Sequence, residues 1–238
     1  FPCSSQPVNG VSPTEIAWSY IRDYGDMAVI HEDGGVPWTE AYHKQYDAYH
    51  PTYQAEIQYI AGKRNALPRS HKVFLYLSLL DVSRTKLARY RGATTAMDLP
   101  EPWRSLEHEL SHEAVLTAFI NHADYLIAQY RPDFFAFGTE INILLNHVAA
   151  GTAPRDAWSK LATASHVLYQ YFKTRYPNMY VFYSIQAESF YDQELIQRTW
   201  LPPILPYTDL IAVSSYPYLK YTAGGIPSNY YAKLADLD

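Results

Sequence analysis

Short apolar runs alternate along this chain with longer stretches whose apolar residues recur at helical spacing. The runs cover residues 27–31, 72–79, 134–139, 180–185 and 210–214 and are rich in β-branched and aromatic side chains. Their apolar character is continuous rather than alternating, which predicts strands covered on both faces. Between them, residues 112–130 set Val115, Leu116, Phe119, Ala123, Leu126 and Ile127 on one helical face that stops before Pro132. Residues 157–176 repeat the pattern and stop before Pro177. Residues 14–24 give a third helix, with Ser12 or Thr14 as its cap and Pro13 in its first turn. Strand and helix in alternation predict βα units around a parallel sheet.

The two long helices reach the following strands through short turns, whereas each strand runs into a longer, irregular, aromatic-rich segment. That asymmetry puts the variable chemistry at the carboxyl ends of the strands, the active-site face of a (β/α)8 barrel. A leading strand is expected within residues 1–10, and too few residues follow Ser214 for two more units. The expected architecture is therefore α/β, a single domain over residues 1–238. It is read as a (β/α)8 TIM barrel truncated before its seventh and eighth strands.

Composition narrows the functional classes. At 48% hydrophobic the chain has material for a large core, and its net charge of −5 comes with scattered basic residues. Neither nucleic acid nor an anionic membrane is an expected partner, and no run approaches the ~18 apolar residues that span a bilayer. The 23 Tyr, 9 Phe and 5 Trp supply rings with an apolar face and a polar tip, the surface on which sugars stack. Most of the tyrosines are nevertheless read as filling helix faces. The lone cysteine, Cys3, excludes an internal disulfide and a Cys-based metal site. The sequence starts on Phe1 rather than Met, which is compatible with secretion without establishing it. There is no G-x-S-x-G elbow, no P-loop and no G-x-G-x-x-G after a strand, so no cofactor is expected.

The sharpest chemical signal is residues 134–142, Phe-Phe-Ala-Phe-Gly-Thr-Glu-Ile-Asn. A buried strand runs straight into Glu140, with Gly138 allowing close backbone approach. A carboxylate there is costly unless it is paired, hydrogen-bonded or used. A helix-capping or salt-bridged Glu accounts for the position as well as a catalytic one does.

This segment resembles the fourth-strand motif of clan A glycoside hydrolases, and most of all endo-galactanase-like and uncharacterised bacterial members. The resemblance implies that Glu140 is the general acid/base and Asn142 the Asn of the Glu-Ile-Asn motif. Thr139 stands where the Asn that holds the sugar 2-hydroxyl is usual. Gly34-Gly-Val-Pro-Trp38 resembles a loop of the same group, which puts the Trp38 ring beside the cleft with His31 and Asp33 flanking it. Residues 209–218 look like the strand that delivers a cleft aromatic, with Tyr216 hydrogen-bonding the nucleophile. Gln186 and Tyr183 complete the expected sugar-binding set, Tyr183 by pointing into the barrel.

The implied reaction is retaining hydrolysis of a β-linked oligo- or polysaccharide, which needs two carboxyl groups about 5–5.5 Å apart. Glu140 is the protonated one. The nucleophile is expected at the end of the seventh strand, beyond residue 238. Glu188, three residues past residue 185, is the substitute to weigh and is read as a solvated loop residue. Two other readings stay open. One is a non-catalytic carbohydrate-binding barrel, to which Thr139 points. The other is a metal-dependent hydrolase using His31, Asp33 and Glu140. His31-Glu-Asp33 offers only one His, and His147 and His166 lie on helical stretches without a second ligand at metal spacing, so no metal is expected.

Overall fold

Ser12 opens the first helix: its hydroxyl accepts from the Glu15 amide at 3.2 Å, and Pro13 fills the first helical position. The computed structural model describes residues 10–220 and Gly225. From α1 (Pro13–Tyr24) the chain passes through β1 (Met27–Glu32), α2 (Trp38–Tyr42), α3 (Pro51–Ala66), β2 (Lys72–Leu77) and α4 (Glu113–Tyr130). It continues through β3 (Phe134–Ala136), α5 (Ile143–Ala149), α6 (Ala157–Arg175), β4 (Tyr180–Gln186) and α7 (Ala187–Asp192). Then follow α8 (Glu194–Trp200), β5 (Ile211–Ser214) and α9 (Pro217–Lys220).

The five strands form one parallel sheet in chain order, β1-β2-β3-β4-β5. The fold is thus α/β, with a strand at each of the five apolar runs. The leading strand expected in residues 1–10 lies outside the described residues, apart from Gly10. The helix α3 was not foreseen, because only Tyr53 and Ile57, one turn apart, are buried along its length. Two anchors leave little periodicity to read.

Alternation along the strands sends neighbouring side chains to opposite faces. Ile30, Leu75, Phe135, Val181 and Ile185 join the main core with Phe119 and Leu126 of α4 and Leu168 and Phe172 of α6. Phe135 and Phe172 meet edge to face at 4.8 Å. The other face carries a smaller cluster of Tyr76, Ala136 and Phe182, with Phe74, Phe134, Leu210 and Ala212 against it. Coverage of both faces holds at the centre of the sheet but not at its margins, where Val29, Ile211 and Val213 are exposed.

Candidate active site

Beyond Ala136 the chain leaves the β3 ladder without leaving β4. The Phe137 amide donates to the Phe182 carbonyl (3.0 Å), the Ser184 amide to Gly138 (3.0 Å), and the Ile141 amide to Ser184 (3.1 Å). Glu140 sits on the intervening turn with φ of 47°, a region that L side chains avoid. The Ser184 hydroxyl accepts from the Glu140 amide at 2.9 Å and pins this turn to β4. A Cβ on Gly138 would stand 2.7 Å from Ile141 Cγ2, so the tight path needs glycine there.

The Glu140 side chain turns toward β5. Glu140 is 8% exposed; its Oε1 accepts from the Ser214 hydroxyl at 2.6 Å, and Oε2 faces Arg84 Nη2 at 3.7 Å. Arg84 comes from the long loop between β2 and α4 and itself has φ of 60°. Both partners of this ion pair are therefore held in the left-handed region, at about 1–3 kcal/mol each. Tyr216 completes this side: burial, then the Glu140 carboxylate, raises its phenol above the ordinary tyrosine value.

Glu188 anchors the same segment. Its Oε1 accepts from the Tyr216 amide at 2.6 Å and from the Ser215 hydroxyl at 3.0 Å. It is buried in the first turn of α7, which corrects the solvated loop residue expected from sequence.

Toward β1, the Tyr76 ring lies 5.0 Å from His31. Burial raises the Tyr76 phenol; Arg84 and a side-chain hydrogen bond with Ser78 act against that shift, and the Glu140 and Asp33 carboxylates add to it. His31 and Asp33 themselves are exposed. A cleft of about 510 Å³ opens where β1 and β2 end, its wall including Asp33, Ser78, Asp81, Ser83, Lys86 and Arg89. Glu140 does not line it; Ser78, two residues after Tyr76, does.

Of the expected sugar ligands, Trp38, Asn142 and Gln186 are hydrogen-bonded within the protein and Tyr183 is turned toward the core. Trp38 is fully buried, stacked on Trp103 at 5.7 Å, and its Nε1 donates to the Ala88 carbonyl at 2.8 Å. The loop before it is stitched to residues 89–91 by Val36–Arg89 and Arg91–Val36 backbone bonds of 2.8 and 3.1 Å. At Gly35, φ +108°, a Cβ would come within 2.3 Å of the Arg89 carbonyl, so this loop path needs glycine there. Asn142 is fully buried and clamps Gln186, its Nδ2 donating to the Gln186 carbonyl (3.0 Å) and its Oδ1 accepting from the Gln186 amide (2.8 Å). Tyr183 falls on the helix-facing side of β4, against Phe137, because the inward positions are Phe182 and Ser184. Gln186 is half-buried, and its side-chain oxygen accepts from Ser189 in α7.

A second carboxylate, part-buried, lines the same cleft. Glu32, the last residue of β1, accepts from the Tyr130 hydroxyl at 2.8 Å and the Tyr53 hydroxyl at 3.1 Å. Burial nevertheless pushes it up to about 7. Tyr53 also meets His122 Nε2 at 3.2 Å, and His122 Nδ1 meets the Tyr49 hydroxyl at 3.0 Å. Burial lowers His122 to about 3, so the imidazole is neutral. One direction satisfies the whole chain: Tyr49 donates to Nδ1, Nε2–H donates to Tyr53, and Tyr53 donates to Glu32.

Arg84, Tyr76, Ser184 and Ser214 were not foreseen as site residues. Ser184 and Ser214 could have been found as polar residues at inward positions near strand ends. Arg84 carried no signal, since nothing local tells which loop cation reaches a carboxylate 56 positions away. Among the described residues no group of three or more His, Cys, Asp and Glu side chains could hold a metal ion, and His31, Asp33 and Glu140 do not form one. His147 pairs with Thr152 at 2.9 Å and His166 stacks on Tyr207 at 4.4 Å. None of the described helices is long and apolar enough to cross a membrane.

No protein-family model matches the chain, and no curated protein does. Among solved structures it is similar to the Ignisphaera aggregans GH53 catalytic domain, at 18% identity and a TM-score of 0.45. That match covers 69% of this chain, and the chain spans 42% of the length of that domain.

Proposed function

We propose that the chain is a glycosidase built on a (β/α)8 barrel, hydrolysing a β-linked oligo- or polysaccharide with retention and using Glu140 as general acid/base. The observation that carries this is the buried Glu140 carboxylate beyond the carboxyl end of β3, held on a strained turn by Ser214 and Arg84. Glu140 protonates the glycosidic oxygen as a second carboxylate, from a strand later than β5, attacks the anomeric carbon. Water then cleaves the glycosyl-enzyme with Glu140 as base. Ser214 and Arg84 keep the carboxylate in place through both steps. His31, Asp33 and Tyr216 are the sugar-facing residues in this reading.

A second reading, a sugar-binding barrel without turnover, is favoured by Thr139. It replaces the usual Asn, and its Oγ1 is buried without a partner among the described residues. The test is turnover of aryl β-glycosides and β-linked polysaccharides by the full-length protein and by Glu140→Gln. A loss of about 10²–10⁴-fold in the variant is expected. An intact, folded wild type with no turnover would move the assignment to sugar binding.

A further inference from the structure

We infer that Glu188 is a positioning residue for Glu140: its carboxylate fixes the chain just past β5, and through it the Ser214 hydroxyl on the acid/base carboxyl. The inference rests on the glycosidase reading above and adds a residue that acts on the reacting group through another. Glu188 is 8% exposed and stands in the first turn of α7. Its Oε1 accepts from the Tyr216 amide at 2.6 Å and from the Ser215 hydroxyl at 3.0 Å. Ser214, the residue before these, gives its hydroxyl to Glu140 Oε1 at 2.6 Å. Three consecutive residues are thus shared between two buried carboxylates.

Strand pairing stops just where these groups must be held. The β4–β5 ladder ends on the pair Gln186 and Ser214, and β5 is the last strand of the described sheet. Packing adds less here than at the centre of the sheet, because side chains along β5 alternate between exposed and half-buried. Ser215 and Tyr216 therefore depend on side-chain contacts for their place, and a buried carboxylate accepting two hydrogen bonds is a strong contact. The anchor is itself rooted near Glu140. Asn142, two residues past Glu140, bonds both backbone polar groups of Gln186, and Glu188 follows two residues later. The turn that carries Glu140 and the segment that bonds its carboxyl are both tied to residues 186–188.

A general acid must stay within hydrogen-bond reach of the oxygen it protonates, and a misplacement of about 1 Å can cost on the order of 10²-fold in rate. Loss of the Glu188 anchor frees the chain that carries Ser214, and with it one of the contacts that hold the Glu140 carboxyl. A carboxylate that serves the fold alone would change stability. A positioning carboxylate changes rate, and does so only while the Ser214 hydroxyl is present to transmit the effect.

The test is a double-mutant cycle on kcat in the full-length protein, with the aryl β-glycoside that the wild type turns over. Glu188→Ala should lower kcat about 10–100-fold with KM nearly unchanged. Ser214→Ala should lower it about tenfold, the loss of one hydrogen bond to a carboxylate. The double variant should fall no further than Glu188→Ala alone. Glu188→Gln, which keeps an acceptor oxygen at the same reach, should recover most of the rate. Should Glu188→Ala not fold, Glu188→Asp replaces it in the cycle with the same outcome expected, since it withdraws the oxygen by one methylene. Losses that add in the double variant would overturn the inference. So would a rise in KM at unchanged kcat, or a Glu188→Gln variant as slow as Glu188→Ala. Each of these leaves the glycosidase reading standing, whereas no turnover by the folded wild type would end that reading and this inference together.

Discussion

Glu32 and Glu140 both stand near strand ends of one sheet, Glu32 part-buried on the cleft wall and Glu140 buried off it, and their surroundings differ in nearly every respect. Glu32 lies on regular β backbone and accepts from two phenols, Tyr53 and Tyr130. The chain of groups behind it, Tyr53, His122 and Tyr49, has every polar atom in a hydrogen bond. Glu140 sits at left-handed φ, takes a short hydroxyl contact from Ser214 and a hydrogen bond from the Tyr216 phenol, and has a guanidinium at 3.7 Å. Around it, among the described residues, Arg84 Nε and Thr139 Oγ1 are buried without hydrogen-bond partners. A satisfied network on regular backbone is what architecture requires; backbone strain persists only where the surroundings enforce it, and such strain clusters at functional sites.

The contrast breaks most decisively at Glu140. Glu140→Gln should lower turnover about 10²–10⁴-fold with little change in unfolding free energy. A variant that lost stability instead of rate would put Glu140 in the same structural class as Glu32.

The next largest effect is expected at Glu32 and shows in the pH dependence of stability. The unfolded carboxyl titrates near 4.5, whereas the folded one keeps its proton to about 7. The folded state therefore binds more protons between these values, so stability is greatest below 4.5 and falls as pH rises toward 7. Glu32→Gln should remove roughly 2–3 kcal/mol of that fall, read from urea unfolding at a series of pH values. An unchanged profile would mean that Glu32 ionises freely.

Asn142 tests the support beneath the Glu140 turn. Asn142→Ala deletes both clamps on Gln186 and should cost about 2 kcal/mol of stability. Turnover should fall as well, because the turn it steadies carries Glu140; a stable variant of wild-type rate would refute the clamp. The smallest change is Tyr130→Phe, which takes one donor from Glu32. About 1 kcal/mol at pH 8 is expected in chemical denaturation, with turnover untouched. A loss of rate in that variant would connect the Glu32 network to the chemistry at Glu140.

Some of these contacts were open to reading along the chain and others were not. Gly138 before Glu140 was legible, because an apolar run that ends on a glycine and a carboxylate is a local pattern. Asn142 stood in the same motif, yet its role reversed: its amide faces the backbone of β4 rather than open space. Trp38 followed a glycine-rich loop as expected, but its ring packs into the core on Trp103 and bonds the Ala88 carbonyl. Glu188 looked like a loop carboxylate until the β5 segment folded over it.

The sequence by itself determined the five parallel strands, the helices α1, α4 and α6, and the prominence of Glu140. Apolar periodicity, proline stops and capping residues act over a few positions, and those positions are adjacent in the chain. Only the tertiary structure decided which side chains look toward Glu140 and which turn away. Arg84, Ser184 and Ser214 reach it from three separate segments. The left-handed φ of Glu140 and Arg84 is imposed by those contacts, since neither residue favours it locally.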